Sequence, residues 1–214
     1  MSSLIDAAAP LFAVAFTAWG ADATWLEIVA VVLAVAMVVL NIRVNPLAWP
    51  LAIVSSLLYF LLFWKSRLYG ESGLQIFFVA VAGWGWWQWL RGTDMTGKPL
   101  VVRTLDARGR VVALMALALA WPATALFLDR FTDTDVPWWD AFPTAASVVG
   151  QWLLGRKYVE NWPTWLVVNV VAATLFAYKG LWLTTVLYAA FVAMSVAGWI
   201  AWQRLAAQLP ATAR

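Results

Sequence analysis

Three side chains in one apolar stretch carry the most specific chemistry of this 214-residue chain: Trp162, Trp165 and Asn169. Spaced i, i+3 and i+7, they share one helical face. An amide beside indole rings can read a carbonyl or hydroxyl of a ligand while the rings stack on something flat. The same residues suit a plainer role, an interhelical hydrogen bond worth roughly 1 kcal/mol in a membrane, with the indoles as anchors at the membrane surface. Both readings stay open at this level. Missing residue types narrow the field as much. The chain has no Cys and no His, which excludes disulfides, thiolate chemistry, imidazole ligation of haem, and most metal and proton-relay schemes. No cofactor, metal or catalytic residue is expected, and most enzyme classes fall away.

The elements that must position these groups follow from composition. At 64% apolar and 12% charged residues, the chain lies far from the roughly 45–50% and 25% of soluble domains, so it is an integral membrane protein. A spanning segment must satisfy its own backbone hydrogen bonds, and runs of about 20 apolar residues without strict alternation mean helices rather than barrel strands. The expected fold class is all-α, with seven spans at 24–42, 46–64, 71–90, 111–128, 137–155, 162–178 and 181–203. The first residues, MSSLIDAAAP, lack the basic start of a signal peptide, and residues 4–19 are expected to form a short interfacial helix.

Lysine and arginine sort by side. Arg43, Arg91, Lys98, Arg103, Arg108, Arg110, Arg156, Lys157, Arg204 and Arg214 fall on one side, against Lys65, Arg67, Arg130 and Lys179 on the other, where Asp129, Asp133, Asp135 and Asp140 also lie. The first side is cytoplasmic by the positive-inside rule, which puts the N-terminus outside and the C-terminus inside. The net charge of +3 is what such loops bring, and no nucleic-acid partner is implied.

The chain also repeats itself. Ala82-Gly83-Trp84-Gly85-Trp86-Trp87-Gln88 returns as Ala197-Gly198-Trp199-Ile200-Ala201-Trp202-Gln203, with five of seven positions matching. Ala48-Trp49-Pro50 pairs with Asn161-Trp162-Pro163, and Trp64-Lys65 with Tyr178-Lys179, so the offset drifts from 113 to 115. The expected organisation is an interfacial segment (1–23), a three-helix repeat (24–91), a loop and linker helix (92–130), a second repeat (131–204) and a tail (205–214). Three spans plus one linker return the chain to its starting side, which makes the repeats parallel, and internal repeats are a signature of transporters in which one bundle moves against the other around a central site.

No Asp, Glu, Lys or Arg falls in the middle of a span, and coupling sites of ion-driven carriers usually sit there. A passive facilitator is the expectation. The first-repeat counterparts of Trp162, Trp165 and Asn169 are Trp49, Ala52 and Ser56, with Ser55 and Tyr59 adding hydroxyls nearby, so corresponding faces differ and an asymmetric ligand such as a ring joined to a sugar is implied. Gln75, one turn inside the third span on a face with Trp86, lines an entry path or snorkels to headgroups. Gln88 and Gln203 read as matched polar caps on an aromatic belt, and Asn41 and Gln151 lie near cytoplasmic span ends. An indole-lined site also attracts a cationic ring without needing a carboxylate.

Trp49-Pro50 through Tyr69-Gly70, Gly73-Leu74-Gln75, Gly85-Trp86-Trp87-Gln88-Trp89, and Glu160-Asn161-Trp162-Pro163-Thr164-Trp165 with Asn169 resemble the PnuC vitamin transporters over residues 24–203. The resemblance implies three plus one plus three helices, an architecture related to the SWEET sugar facilitators, and a homotrimer with one pathway per subunit. It further implies facilitated diffusion of nicotinamide riboside across the bacterial inner membrane, with trapping by a cytoplasmic kinase. Gln75, Trp162, Trp165 and Asn169 match the family's motif residues, as do Trp86 and Gln88. Glu71 stands where many relatives have Asp. Relatives carrying thiamine or riboflavin on the same framework give the nearest alternative, and a membrane protein that transports nothing a more distant one.

Overall fold

The computed structural model describes residues 9–18, 20–65, 69–94, 96–132, 136–178, 180 and 182–208. Among them are seven α-helices: α1 (Trp25–Ile42), α2 (Ala48–Lys65), α3 (Tyr69–Arg91), α4 (Ala107–Phe131), α5 (Pro137–Gly155), α6 (Asn161–Tyr178) and α7 (Trp182–Ala207). Their bounds follow the expected spans to within a few residues. Three stretches, α1, α4 and Thr184–Ala207 of α7, are long and apolar enough to cross a membrane by length and composition. The chain divides into two compact units, with the boundary between Leu90 and Arg91.

The N-terminal segment departs from expectation. Its described part is not a helix: a 3-10 turn at Ala9–Phe12 leads into β1 (Val14–Ala18) and β2 (Ala21–Thr24), which pair antiparallel with an irregularity between Val14 and Phe16. Ala18 pairs with Ala21 around a two-residue connection, and Gly20 there has φ 78, a left-handed conformation that suits a tight hairpin and ends any helix. Residues 4–8, Lys179, Asp133 and Asp135 lie outside the described residues, as do the side chains of Lys65 and Glu71.

α1 begins on a capping box. Thr24 Oγ1 accepts from the Glu27 amide (3.3 Å), while the Thr24 amide donates to Glu27 Oε2 (2.7 Å), so orphan donors are satisfied and the carboxylate meets the positive end of the helix dipole. α1 ends on a Schellman motif: the Val44 amide donates to Asn41 O and the Asn45 amide to Leu40 O. α5 ends the same way, with Lys157 N to Leu154 O and Tyr158 N to Leu153 O. The left-handed residue is Val44 (φ 54) in one turn and Lys157 (φ 59) in the other, 113 residues apart. A β-branched residue in that region is strained, so the turn is held by the helices it joins.

The same offset governs helix packing. In the first unit the Trp49 indole lies on Gly85, in the space a Cβ would fill, and meets Trp89 edge-on with centroids 5.5 Å apart and planes at 85°. In the second unit Trp162 lies on Gly198, its ring 2.5 Å from where a Cβ would stand, and meets Trp202 edge-on at 5.7 Å and 83°. Trp49, Gly85 and Trp89 each precede their counterparts by 113 residues. This corrects the offset of 115 drawn from the seven-residue motif: packing equates Gly198 with Gly85, not Gly83, which has nothing within 4 Å of its added Cβ. Gln88 and Gln203 are then not counterparts either, and Gln88 is buried while Gln203 is exposed.

These contacts set opposite outcomes for two nearby glycines. Gly83→Ala gains up to about 1 kcal/mol through helix propensity, whereas Gly85→Ala and Gly198→Ala drive a methyl into an indole and lose about 1–3 kcal/mol. Thermal unfolding of the purified variants in detergent checks this, and a loss at Gly83 equal to that at Gly85 contradicts the packing register.

Candidate functional site

α6 is the centre of the second unit, packed against both α5 and α7. Its wide face is split between those neighbours. Trp162 turns to α7, where Gly198 and Trp202 take its ring, and it is almost wholly buried. Asn169, two turns on, is also buried against α7, and its Nδ2 donates to Ser195 Oγ at 3.1 Å. Trp165 turns instead to α5, where its indole approaches Gly150, 3.2 Å from the point at which a Cβ would lie. Trp165 keeps part of its surface open. Trp162 and Asn169 thus meet α7, and Trp165 meets α5. Trp162 does what Trp49 does.

Ser195 went unnoticed in the sequence. It is buried, and its hydroxyl donates to Phe191 O at 2.8 Å, one turn back along α7. The available signal was a lone hydroxyl in the middle of an apolar span, of the kind that made Asn169 conspicuous.

The remaining expected residues lie in the first unit. Ser56 and Tyr59 are half-buried on α2, and Ser55 is buried with its Oγ donating to Ala30 O of α1 at 3.3 Å. On α3, Gln75 is half-buried, Gln88 buried, and Trp86 37% exposed. Each sits where the helix period places it, and Trp86 and Gln88 therefore point to different surroundings.

A second cluster was also missed, at the loop between α3 and α4. Arg103 forms a parallel bridge to Tyr158, its amide donating to Lys157 O (3.1 Å) while its carbonyl accepts from Val159 (2.9 Å). Its guanidinium lies over the Tyr158 ring, 5.0 Å from the centroid, and donates to the phenol oxygen at 3.1 Å. Glu160 accepts from the Leu105 amide (3.0 Å) and pairs with Arg110 Nε (3.1 Å). Lys157 Nζ donates to Leu100 O at 3.0 Å, and burial pushes the ammonium below the usual lysine range. Beside this latch a cavity of about 220 Å³ is lined by Arg110, Glu160, Pro163, Trp199 and Gln203 among others. Gln203 thus belongs to a solvent-side pocket rather than to the Asn169 neighbourhood.

Residues 24–204 match the family model described as nicotinamide mononucleotide transporter. The chain belongs to that family. Among its relatives, the riboflavin/roseoflavin transporter RibM of Streptomyces davaonensis is 32% identical over 194 residues, which is 86% of this chain and 89% of that protein. The nicotinamide riboside transporter PnuC of Escherichia coli is 26% identical over 200 residues, 80% of this chain and 82% of its own length. The crystal structure of the vitamin B3 transporter PnuC has the same fold, with a TM-score of 0.70 at 24% identity over 86% of this chain and 83% of that one. The chain is therefore a multi-pass membrane transporter and not an enzyme.

The two indoles of α6 differ in burial. Trp162→Ala removes a buried ring and lowers stability by about 3–5 kcal/mol. Trp165→Ala, at a half-open position, costs less stability and more transport. Melting temperature and initial uptake rate measured on the same preparations test this, and equal ratios of the two effects contradict it.

Proposed function

We propose that the chain is a passive carrier for a vitamin built on a flat aromatic ring, with nicotinamide riboside as its substrate, in the inner membrane of a bacterium. What supports the passive mode is the absence of any Asp, Glu, Lys or Arg from the middle of its spans, where a coupling group would have to sit. What supports the substrate is the Trp162-x-x-Trp165-x-x-x-Asn169 pattern on α6 together with the family match over residues 24–204. Two three-helix repeats and a linker helix form the carrier, and alternating exposure of one binding site moves substrate down its gradient until cytoplasmic phosphorylation traps it. The distribution of Lys and Arg supports an external N-terminus and a cytoplasmic C-terminus, and the resemblance to PnuC supports a homotrimer. Trp165 stacks on or shapes the pocket for the ring, and Asn169 bonds a polar substituent.

Riboflavin is the second reading. The observation in its favour is the 32% identity to RibM against 26% to PnuC of E. coli.

In liposomes the purified protein is expected to equilibrate labelled nicotinamide riboside with neither a pH nor a Na⁺ gradient. A strict requirement for either overturns the passive mode, and equilibration of riboflavin but not the riboside selects the second reading. Asn169→Ala should weaken substrate binding by about 1–3 kcal/mol, as loss of a buried hydrogen bond does, while Gln203→Ala leaves it unchanged. Equal losses in a titration of both variants would show that the site lies elsewhere.

A further inference from the structure

We infer that Ser195 is a positioning residue that decides which end of the Asn169 amide faces the substrate, so that the site selects a flat ring bearing an N–H donor. This rests on the reading that Asn169 contacts substrate. A hydroxyl has one proton and two lone pairs. The Ser195 proton is spent on Phe191 O at 2.8 Å, which leaves Ser195 Oγ an acceptor toward α6. Only the Nδ2 end of the Asn169 amide can meet it, as it does at 3.1 Å; the flipped amide would set two acceptor oxygens against each other. Ser195 is the amide's one hydrogen-bond partner among the described residues, which leaves Oδ1 to accept from a ligand. The group offered to a ligand is therefore an acceptor.

The repeat indicates that this pair is not demanded by packing. The positions 113 residues earlier are Ser56 and Ala82, and Ala82 is buried in α3, where no hydroxyl is available to orient anything. At these matched positions one unit closes its helices with Ser56 and Ala82, and the other with an amide and a hydroxyl. An acceptor fixed in a dry site favours a ligand with a matching donor and rejects an isostere that lacks it, because the acceptor is then left unpaired. Two ring chemistries offer such a donor, the primary carboxamide of a nicotinamide ring and the imide N–H of an isoalloxazine. A carboxylate or ester in place of the carboxamide offers acceptors alone and is rejected.

The test titrates the full-length protein in detergent with two matched pairs: nicotinamide riboside against the riboside of methyl nicotinate, and riboflavin against N3-methylriboflavin. The unaltered protein is expected to prefer the donor-bearing member of whichever pair it binds, on the order of ten-fold or more. Ser195→Ala lets the amide turn and brings that ratio close to one, with the donor-free member still bound. Ser195→Cys, which keeps the volume and weakens the acceptor, lowers the ratio as well, and Ser195→Thr, which keeps the hydroxyl, retains it. An unchanged ratio in both the Ala and Cys variants overturns the inference, as does a ratio near one in the unaltered protein. Binding of none of the four compounds overturns instead the substrate reading beneath it.

Discussion

An indole seated on a glycine is the contact on which each half of this molecule depends. Between helices in lipid there is no apolar surface to hide from water, so association relies on close packing, hydrogen bonds and small residues that let helices approach. Gly85 and Gly198 create the approach, and Trp49 and Trp162 fill it with the largest side chain available, each steadied edge-on by Trp89 or Trp202. The gain is dispersion over a whole ring face. The cost is shared too: the Nε1 hydrogens of Trp49 and Trp162 are both buried without a partner among the described residues. That both units carry the same expense at matched positions argues that the contact outweighs it.

The same indole-on-glycine contact recurs in both units, and around it the two units differ. α2 and α6 enter through equivalent turns, held by the same backbone bonds around Val44 and Lys157. Beyond the shared tryptophan they diverge, Ala52 and Ser56 against Trp165 and Asn169. The second set is the larger and the more polar of the two. The Arg103 latch on the α5–α6 turn is likewise confined to the second unit, where it ties the segment before α4 to the entrance of α6.

Much of this was legible in the residues because bilayer thickness and backbone hydrogen bonding leave little choice for a long apolar run. The seven helices among the described residues follow from that constraint, and the Trp49–Trp162 equivalence from the repeated Trp-Pro pair. What could not be read was set by atoms distant in sequence. Gly83 and Gly85 look alike in a string, and Gly83 makes the better local match to Gly198, yet only Gly85 faces Trp49. The turn at Gly20 overrode an apolar pattern that suited a helix, and the partners of Arg103 and Asn169 lie 55 and 26 residues away. Ser195 had no local mark at all beyond being a hydroxyl in apolar company.

A double-mutant cycle on the indole and its glycine tests the central contact most directly. Trp162→Phe, Gly198→Ala and the pair together would be unfolded reversibly in mixed detergent and their free energies compared. The account predicts that Gly198→Ala costs less when the smaller ring is present, by about 1 kcal/mol or more, since residues in contact couple while independent ones add. Additivity of the two substitutions to within about 0.5 kcal/mol would contradict it.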